Sequence, residues 1–291
     1  MNHTMKNSIK KVLVVLGPTA SGKSDFAVEL AKKVDGEIIS ADSRQIYRGL
    51  DIGTGKITED EMKGIPHHMI DIIDIEESFS VAGYQRRALP ILEDILSRGK
   101  TPIICGGTGQ YIDALIYTNT FPHIPPNEAL RTELEQHTTE ALFASLEKKD
   151  PTRAQTIDRH NRVRLIRALE IIDAAGKVPA KQEMKMRHPT DIYILTPSKE
   201  LLRERIIKRL EKRLAEGMLE EGKKISAHML SPQKIASLGL EYIDMNAYLN
   251  EACSYEEMKE RLIAKIWQYA KRQMTWNAKY KMHATIVPVT K

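Results

Sequence analysis

The stretch Gly17-Pro18-Thr19-Ala20-Ser21-Gly22-Lys23-Ser24 has the G-x-x-x-x-G-K-S spacing of a P-loop. Its glycines let successive backbone N–H groups turn toward one centre, and the helix that follows adds its positive end. Lys23 supplies a cation and the Ser24 hydroxyl a ligand for Mg2+, so the loop is expected to hold a diphosphate together with that ion. The motif leaves open whether the diphosphate belongs to a nucleotide.

Such a loop works only if a buried strand delivers it and a helix receives it. Val12 to Leu16, five apolar residues, reads as the strand, and Lys23 to Val34 as the helix. After a turn at Asp35-Gly36, Glu37 to Ser40 reads as a second strand, and a later apolar run, Thr101 to Cys105, ends at Gly106-Gly107. Short buried runs alternating with helices predict an α/β fold, a P-loop NTPase-like parallel sheet with helices on both faces. Ligands of such sheets sit beyond the carboxyl ends of the strands. Three loops converge there: 17–24, Asp42-Ser43-Arg44-Gln45 and Gly106-Gly107-Thr108-Gly109.

Three prolines between Phe121 and Pro126 break the rhythm and predict a hinge. Beyond it, Glu128 to Glu147 and Thr152 to Ala175 carry helical periodicity, with Asp150-Pro151 suited to cap and start the second helix and Gly176 to stop it. No strand-like run recurs before Ile192 to Leu195. Residues 123–189 are therefore expected to form a helical insertion domain in a core made of 1–122 and 190–291. Thr196-Pro197 opens a long helix with Leu202, Ile206, Leu210, Leu214 and Met218 as an apolar stripe and Arg205, Arg209 and Arg213 beside it. Glu256 to Thr275 reads as a last helix, expected to bury Met258, Leu262, Ile266 and Tyr269.

At 291 residues, 42% of them apolar, the chain has ample material for a buried core, which excludes disordered and fibrous classes. Met1 to Lys11 is polar, and the apolar run after it is too short for a signal peptide or a membrane span, so cytoplasmic residence and no membrane partner are expected. Cys105 and Cys253 lie far apart, give neither a disulfide framework nor a zinc spacing, and are expected to be buried thiols. His67-His68 makes a poor metal site because adjacent side chains rarely aim at one ion. The net charge of +5 is uneven: Arg153 to Arg187 has nine Lys/Arg against four Asp/Glu, and Lys259 to Lys281 seven against one. Those stretches suit a polyanion such as RNA, or are solvated helix faces.

The 17–24 loop, Asp42-Ser43-Arg44-Gln45-Ile46-Tyr47, Asp51-Ile52-Gly53-Thr54-Gly55-Lys56, Pro66-His67-His68-Met69-Ile70-Asp71, Gly106-Gly107-Thr108-Gly109, Arg167-Ala168-Leu169-Glu170 and Tyr269-Ala270-Lys271-Arg272-Gln273-Met274-Thr275-Trp276 resemble, in that order and over nearly the whole chain, the tRNA dimethylallyltransferases. The block after the second strand is the most specific part, since P-loop kinases lack it. The resemblance implies transfer of a dimethylallyl group from its diphosphate to N6 of adenosine 37, beside the anticodon.

That reaction asks for particular residue types. An exocyclic adenine amine is a weak nucleophile, and a carboxylate within reach can take its proton as the new bond forms. Asp42 holds the family's catalytic aspartate position. The departing diphosphate needs donors and cations where its charge grows; Gly17, Thr19, Ala20, Ser21, Gly22, Lys23, Ser24 with Mg2+, and Thr108 fit, and by resemblance Arg205 reaches it, with Arg209 beside it. Structural readings stay open: Asp42 as a cap or an outer Mg2+ ligand, Thr108 as a turn hydroxyl, the arginines as a solvated face. The base must also be flipped out of its RNA. Ser43, Arg44 and Gln45 lie beside Asp42 for contact with it, and the resemblance adds Arg131, Val163, Arg164, Leu165, Ile166, Arg167, Lys271, Arg272 and Gln273 as contacts to a tRNA anticodon stem-loop. A monomer is expected.

The chain departs from the family pattern at Gln110, Asn161, Leu240-Glu241 (usually Tyr-Lys) and Asn277-Ala278 (usually Phe-Arg); Glu241 and Ala278 each remove a positive charge from the expected RNA side. Alternatives are a P-loop kinase or NTPase, a prenyltransferase acting on free adenine nucleotides, and an RNA-binding protein with a degenerate site. The kinase reading lacks an acidic residue at the end of Ile103-Ile104-Cys105, and the basic insertion opposes the free-nucleotide one.

Overall fold

The computed structural model describes residues 11–118, 124–179 and 184–290. Strand β1 (Val12–Leu16) has no polar break, as a strand covered on both faces requires. It leads through the 17–24 loop into α1 (Lys23–Val34), β2 (Gly36–Ser40), α2 (Glu59–Met62), β3 (His67–His68), α3 (Val81–Ser97), β4 (Thr101–Cys105) and α4 (Gly109–Ile116). Helices α5 (Glu128–Leu134), α6 (Thr139–Lys149), α7 (Pro151–Ala154) and α8 (Arg162–Ala175) follow, then β5 (Thr190–Pro197), α9 (Lys199–Ala215), α10 (Met218–Ala227), α11 (Pro232–Leu238), α12 (Leu240–Leu249), α13 (Tyr255–Asn277) and β6 (Ala284–Val289).

The chain divides into two compact units, one of 1–118 and 185–291, the other of 119–184. In the first, six strands form one parallel sheet in the order β3-β2-β4-β1-β5-β6. Alternation along β1 sends Val12, Val14 and Leu16 to one face, against Tyr84 and Leu92 of α3 and Ile112 of α4, and Leu13 and Val15 to the other, against Ala27, Val28 and Ala31 of α1. Ser40 of β2 and Val15 of β1 both pair with Cys105 of β4, so the three loops leave the sheet at one level. A separate core of Leu202, Ile206, Leu210, Met218, Tyr242, Met245, Met258 and Leu262 joins α9, α10, α12 and α13.

The second unit packs Leu142, Leu146, Leu165 and Leu169 at its centre. Each of its two expected long helices is broken by a polar residue that caps a new one. Thr138 accepts from the Ala141 amide to start α6, and Asn161 accepts from the Arg164 amide at 3.1 Å to start α8. Part of the proline-rich stretch Phe121 to Pro126, where a hinge was expected, lies outside the described residues.

Four expectations in the first unit need correction. Thr196 and Pro197 end β5 instead of opening the long helix, which Ser198 caps by accepting from the Leu201 amide at 3.1 Å. Met218 does not extend the stripe of α9: Gly217 takes a φ of +100°, and Met218 opens α10 while remaining in the same core. Tyr269 is half-buried, facing a cavity instead of the core, and Cys253 is half-buried, not enclosed like Cys105. Among the described residues no helix is long and apolar enough to cross a membrane.

Candidate active site

A cavity of about 310 Å3 opens where the three loops leave the sheet. Thr19, Lys23 and Ser24 line it from the 17–24 loop, Asp42, Arg44 and Gln45 from the loop after β2, Gly106 from the loop after β4, and Arg209, Arg213, Tyr269, Arg272 and Gln273 from α9 and α13. Beside this polar part, Ala236, Leu240, Ile243 and Ile266 supply an apolar wall. The cavity thus offers cations and carboxylates at one part and hydrocarbon at another.

The 17–24 loop is held by its own backbone and by one distant side chain. Gly22 takes a φ of +85° at the cap of α1, and Ala20 adopts the left-handed region, φ 61°, where a side chain is strained. Gly17 has no room for a Cβ beside Ser21, whose buried hydroxyl lacks a partner among the described residues. The Thr19 amide donates to Gln273 Oε1 at 2.7 Å, and Gln273 Nε2 donates to the Gly107 carbonyl at 3.2 Å. Gln273 therefore bridges two of the three loops from a buried position at the cavity wall, where it braces the site. Enclosure lowers the Lys23 pKa below the ordinary amine range, while the charge of Asp42 works in the opposite direction.

Asp42 Oδ1 accepts from the Arg44 amide at 2.9 Å, a local turn that fixes the carboxylate. Its other oxygen has no hydrogen-bond partner among the described residues. Thr108 does not line the cavity: its hydroxyl accepts from the Ser43 amide at 3.0 Å and donates to Ser43 Oγ at 3.2 Å, and its own amide donates to the Ala41 carbonyl at 2.9 Å. Gly106 lies so close to the Ala41 backbone that no side chain fits between them. The loop after β4 thus serves as the anvil on which Asp42 and Ser43 rest. The Arg44 guanidinium donates to the Ser237 carbonyl, and Gln45 Nε2 to the Gly55 carbonyl at 3.4 Å.

Arg205 sits outside this cavity, in a neighbouring groove with Gly22, Lys208 and Lys212 that shares Lys23, Ser24 and Arg209 with it. Its guanidinium approaches the Ser21 carbonyl at 3.4 Å. Lys271 and Arg272 are exposed on α13 and border a shallow groove with Trp276 and Lys279, and Arg272 also reaches the main cavity. Glu241, expected on the RNA side, instead lines the main cavity 3.6 Å from Arg213, and burial raises its carboxyl pKa. Of the other departures, Asn161 is a helix cap, Asn277 is buried, and Gln110 and Ala278 are exposed.

In the helical unit, Val163 is 78% exposed and Arg164 is exposed, whereas Leu165 and Ile166 are core, so those two have no side chain to offer a partner. Arg131 grips Glu170 with two bonds of 2.7 and 3.0 Å, and Arg167 donates to the same buried carboxylate at 3.0 Å. Glu170 consequently fixes both guanidiniums, each of which keeps a third of its side-chain surface exposed. The sequence gives one sign of this triad, the spacing of Arg167 and Glu170 on one helix face. Arg213, at the cavity wall, carries no sequence signal beyond its place in the arginine stripe.

The IPP transferase family model matches residues 45–280. The tRNA dimethylallyltransferase of Pelotomaculum thermopropionicum is 40% identical over 284 residues, spanning 95% of this chain and 90% of that protein. Two solved structures share the architecture. The tRNA isopentenylpyrophosphate transferase of Bacillus halodurans is 39% identical with a TM-score of 0.71, covering 96% of this chain and 90% of that one. A eukaryotic dimethylallyltransferase solved acting on tRNA is 28% identical with a TM-score of 0.85, covering 97% of this chain and 74% of that one. With the family model spanning most of its length and relatives at this identity matched nearly end to end, the chain belongs to the IPP transferase family.

Proposed function

We propose that this chain transfers a dimethylallyl group from dimethylallyl diphosphate to N6 of adenosine 37 in a tRNA anticodon stem-loop. The observation that carries the reading is the single cavity shared by Asp42, Lys23, Ser24 and an apolar wall. The diphosphate lies on the 17–24 loop, with Lys23 and Arg209 facing the charge that grows as its carbon–oxygen bond breaks. The prenyl chain rests against Leu240, Ile243 and Ile266. The N6 lone pair forms the new carbon–nitrogen bond, and the free oxygen of Asp42 accepts the proton that N6 loses. Diphosphate leaves with the bonding electron pair.

Mg2+ is the expected cofactor. Ser24, whose hydroxyl is a hard oxygen donor, lines the cavity beside Lys23 and would hold an ion that keeps its other positions for water and phosphate oxygens. Bound there, it would add charge neutralisation to the diphosphate. Ser43, Arg44 and Gln45 contact the flipped base, Lys271 and Arg272 the surrounding RNA, and Val163, Arg164, Arg131 and Arg167 form the RNA-facing surface of the helical unit. Arg205 attracts the diphosphate from the outer groove. The enzyme works as a cytoplasmic monomer.

Mass analysis of a tRNA pool incubated with the protein, Mg2+ and dimethylallyl diphosphate tests the reading. One added five-carbon unit on adenosine is the expected result; ATP consumption without it would support the kinase alternative.

A further inference from the structure

Glu221, on α10, does not line the cavity, yet it is buried among hydrogen-bond donors. Its Oε2 accepts from the amides of Asp51 and Ile52, both at 2.8 Å, and its Oε1 from the Gly53 amide at 2.8 Å and the Tyr242 hydroxyl at 2.7 Å. Three successive amides turned on one carboxylate make an anion nest, with an internal side chain as the anion. A Cβ at Gly53 would lie 2.6 Å from Tyr242 Oη and 2.9 Å from Glu221 Oε1, so the nest needs glycine there. Burial, then the Glu221 charge, push the Tyr242 phenol pKa well up, and it remains a donor.

The carbonyls of the same loop are held by cations. Arg213 Nη1 donates to the Gly53 carbonyl at 2.7 Å, and Arg209 Nη2 to the Gly55 carbonyl at 2.8 Å. Arg209, Arg213 and Thr54 all line the cavity. The Ile52 and Gly53 amides share planar peptide groups with the Asp51 and Ile52 carbonyls, which accept from the amides of Lys56 at 2.9 Å and Gly55 at 3.0 Å, and the Lys56 amide shares its own peptide group with the Gly55 carbonyl that Arg209 holds. The orientation imposed by one carboxylate therefore passes through these turn bonds to the carbonyl that tethers Arg209.

We infer that Glu221 is a positioning residue for the anion end of the site: acting through the 51–55 loop, it aims Arg209 at the diphosphate. The inference rests on the proposed function, in which Arg209 and Lys23 face that group. It separates two roles in the arginine stripe, since Arg205 bonds elsewhere.

The test is binding of inorganic diphosphate by the full chain, with an anticodon stem-loop RNA as the second ligand. Glu221→Gln keeps the shape but puts an NH2 where donors converge, and should weaken diphosphate binding about ten-fold, the scale of one charge-assisted hydrogen bond. RNA affinity should stay unchanged. On an Arg209→Ala background the same change should cost less than about two-fold, because the two residues act as one unit. Tyr242→Phe removes one of the four bonds and keeps the charge, so it carries the test should Glu221→Gln fail to fold; about a three-fold loss is expected. Unchanged diphosphate affinity in whichever variant folds overturns the inference, as does a parallel loss of RNA binding or full multiplicativity with Arg209→Ala. Absence of diphosphate binding by the wild type would overturn the proposed function itself, a separable outcome.

Discussion

The Thr19 amide and the Gln273 side-chain oxygen are joined by a 2.7 Å hydrogen bond between residues 254 positions apart. Because the other end of the same amide donates to Gly107, α13 closes the 17–24 loop and the loop after β4 into one frame. Thr19 thus spends its N–H on the protein. The phosphate cradle must be built from the remaining amides, Lys23 and Ser24.

Gln273→Ala should remove the partner of the part-buried Thr19 amide and cost about 1 kcal/mol of stability. It should also weaken binding of inorganic diphosphate several-fold, read by calorimetry alongside urea unfolding. Stability and affinity both at wild-type values would show that the bridge does not organise the loop.

Thr108 gives a contrast between isosteres. Thr108→Val removes the hydroxyl that fixes Ser43 beside Asp42 and should lower kcat about ten- to a hundred-fold with diphosphate affinity nearly intact, the expected scale for a misplaced general base. Thr108→Ser should retain most activity. Equal losses in the two variants would assign the residue a different role.

In the helical unit, α8 should separate stability from RNA binding. Leu165→Ala opens a cavity in the core of that unit and should destabilise it by about 2–5 kcal/mol. Arg164→Ala should leave stability within about 0.5 kcal/mol, weaken stem-loop RNA binding, and reduce the salt dependence of that binding by about one phosphate contact. A salt slope unchanged by Arg164→Ala would remove it from the interface.

Glu37 predicts the acid limb of stability. Hydrogen bonds from Arg98, chiefly, and from His68 hold its carboxyl pKa down to about 2, against 4.5 for a free side chain. A depressed folded pKa gives stabilisation that is complete above the unfolded value and is lost as pH falls from 4.5 toward about 2. With Arg98 partly exposed, the contribution is on the order of 2 kcal/mol. Glu37→Gln should flatten the unfolding free energy over that window, and an unaltered profile would contradict the assignment.

The convergence of the three loops at one level of the sheet was legible because it is local. Val12 to Ser24 encodes strand, turn and helix start in adjacent residues, and the level exit of β1, β2 and β4 follows from parallel topology. The long arginine helix was legible from its period. What failed was tertiary. Gln273 reads as one polar residue in a basic tract, and only its burial against Thr19 reveals a brace. Leu165 and Ile166 share a motif with exposed Val163 and Arg164, but helix geometry sends them inward. Thr138 and Asn161 end helices that an apolar period alone would continue, because their side chains satisfy new backbone N–H groups.

Asp42→Asn provides the most direct measurement, because it keeps the turn to the Arg44 amide while removing the proton acceptor. Single-turnover transfer to a stem-loop RNA should fall by at least about a hundred-fold, the usual cost of losing a general base, with the affinity for inorganic diphosphate retained. Transfer at a near-normal rate would contradict the assignment of Asp42 as the base on which this account of the cavity turns.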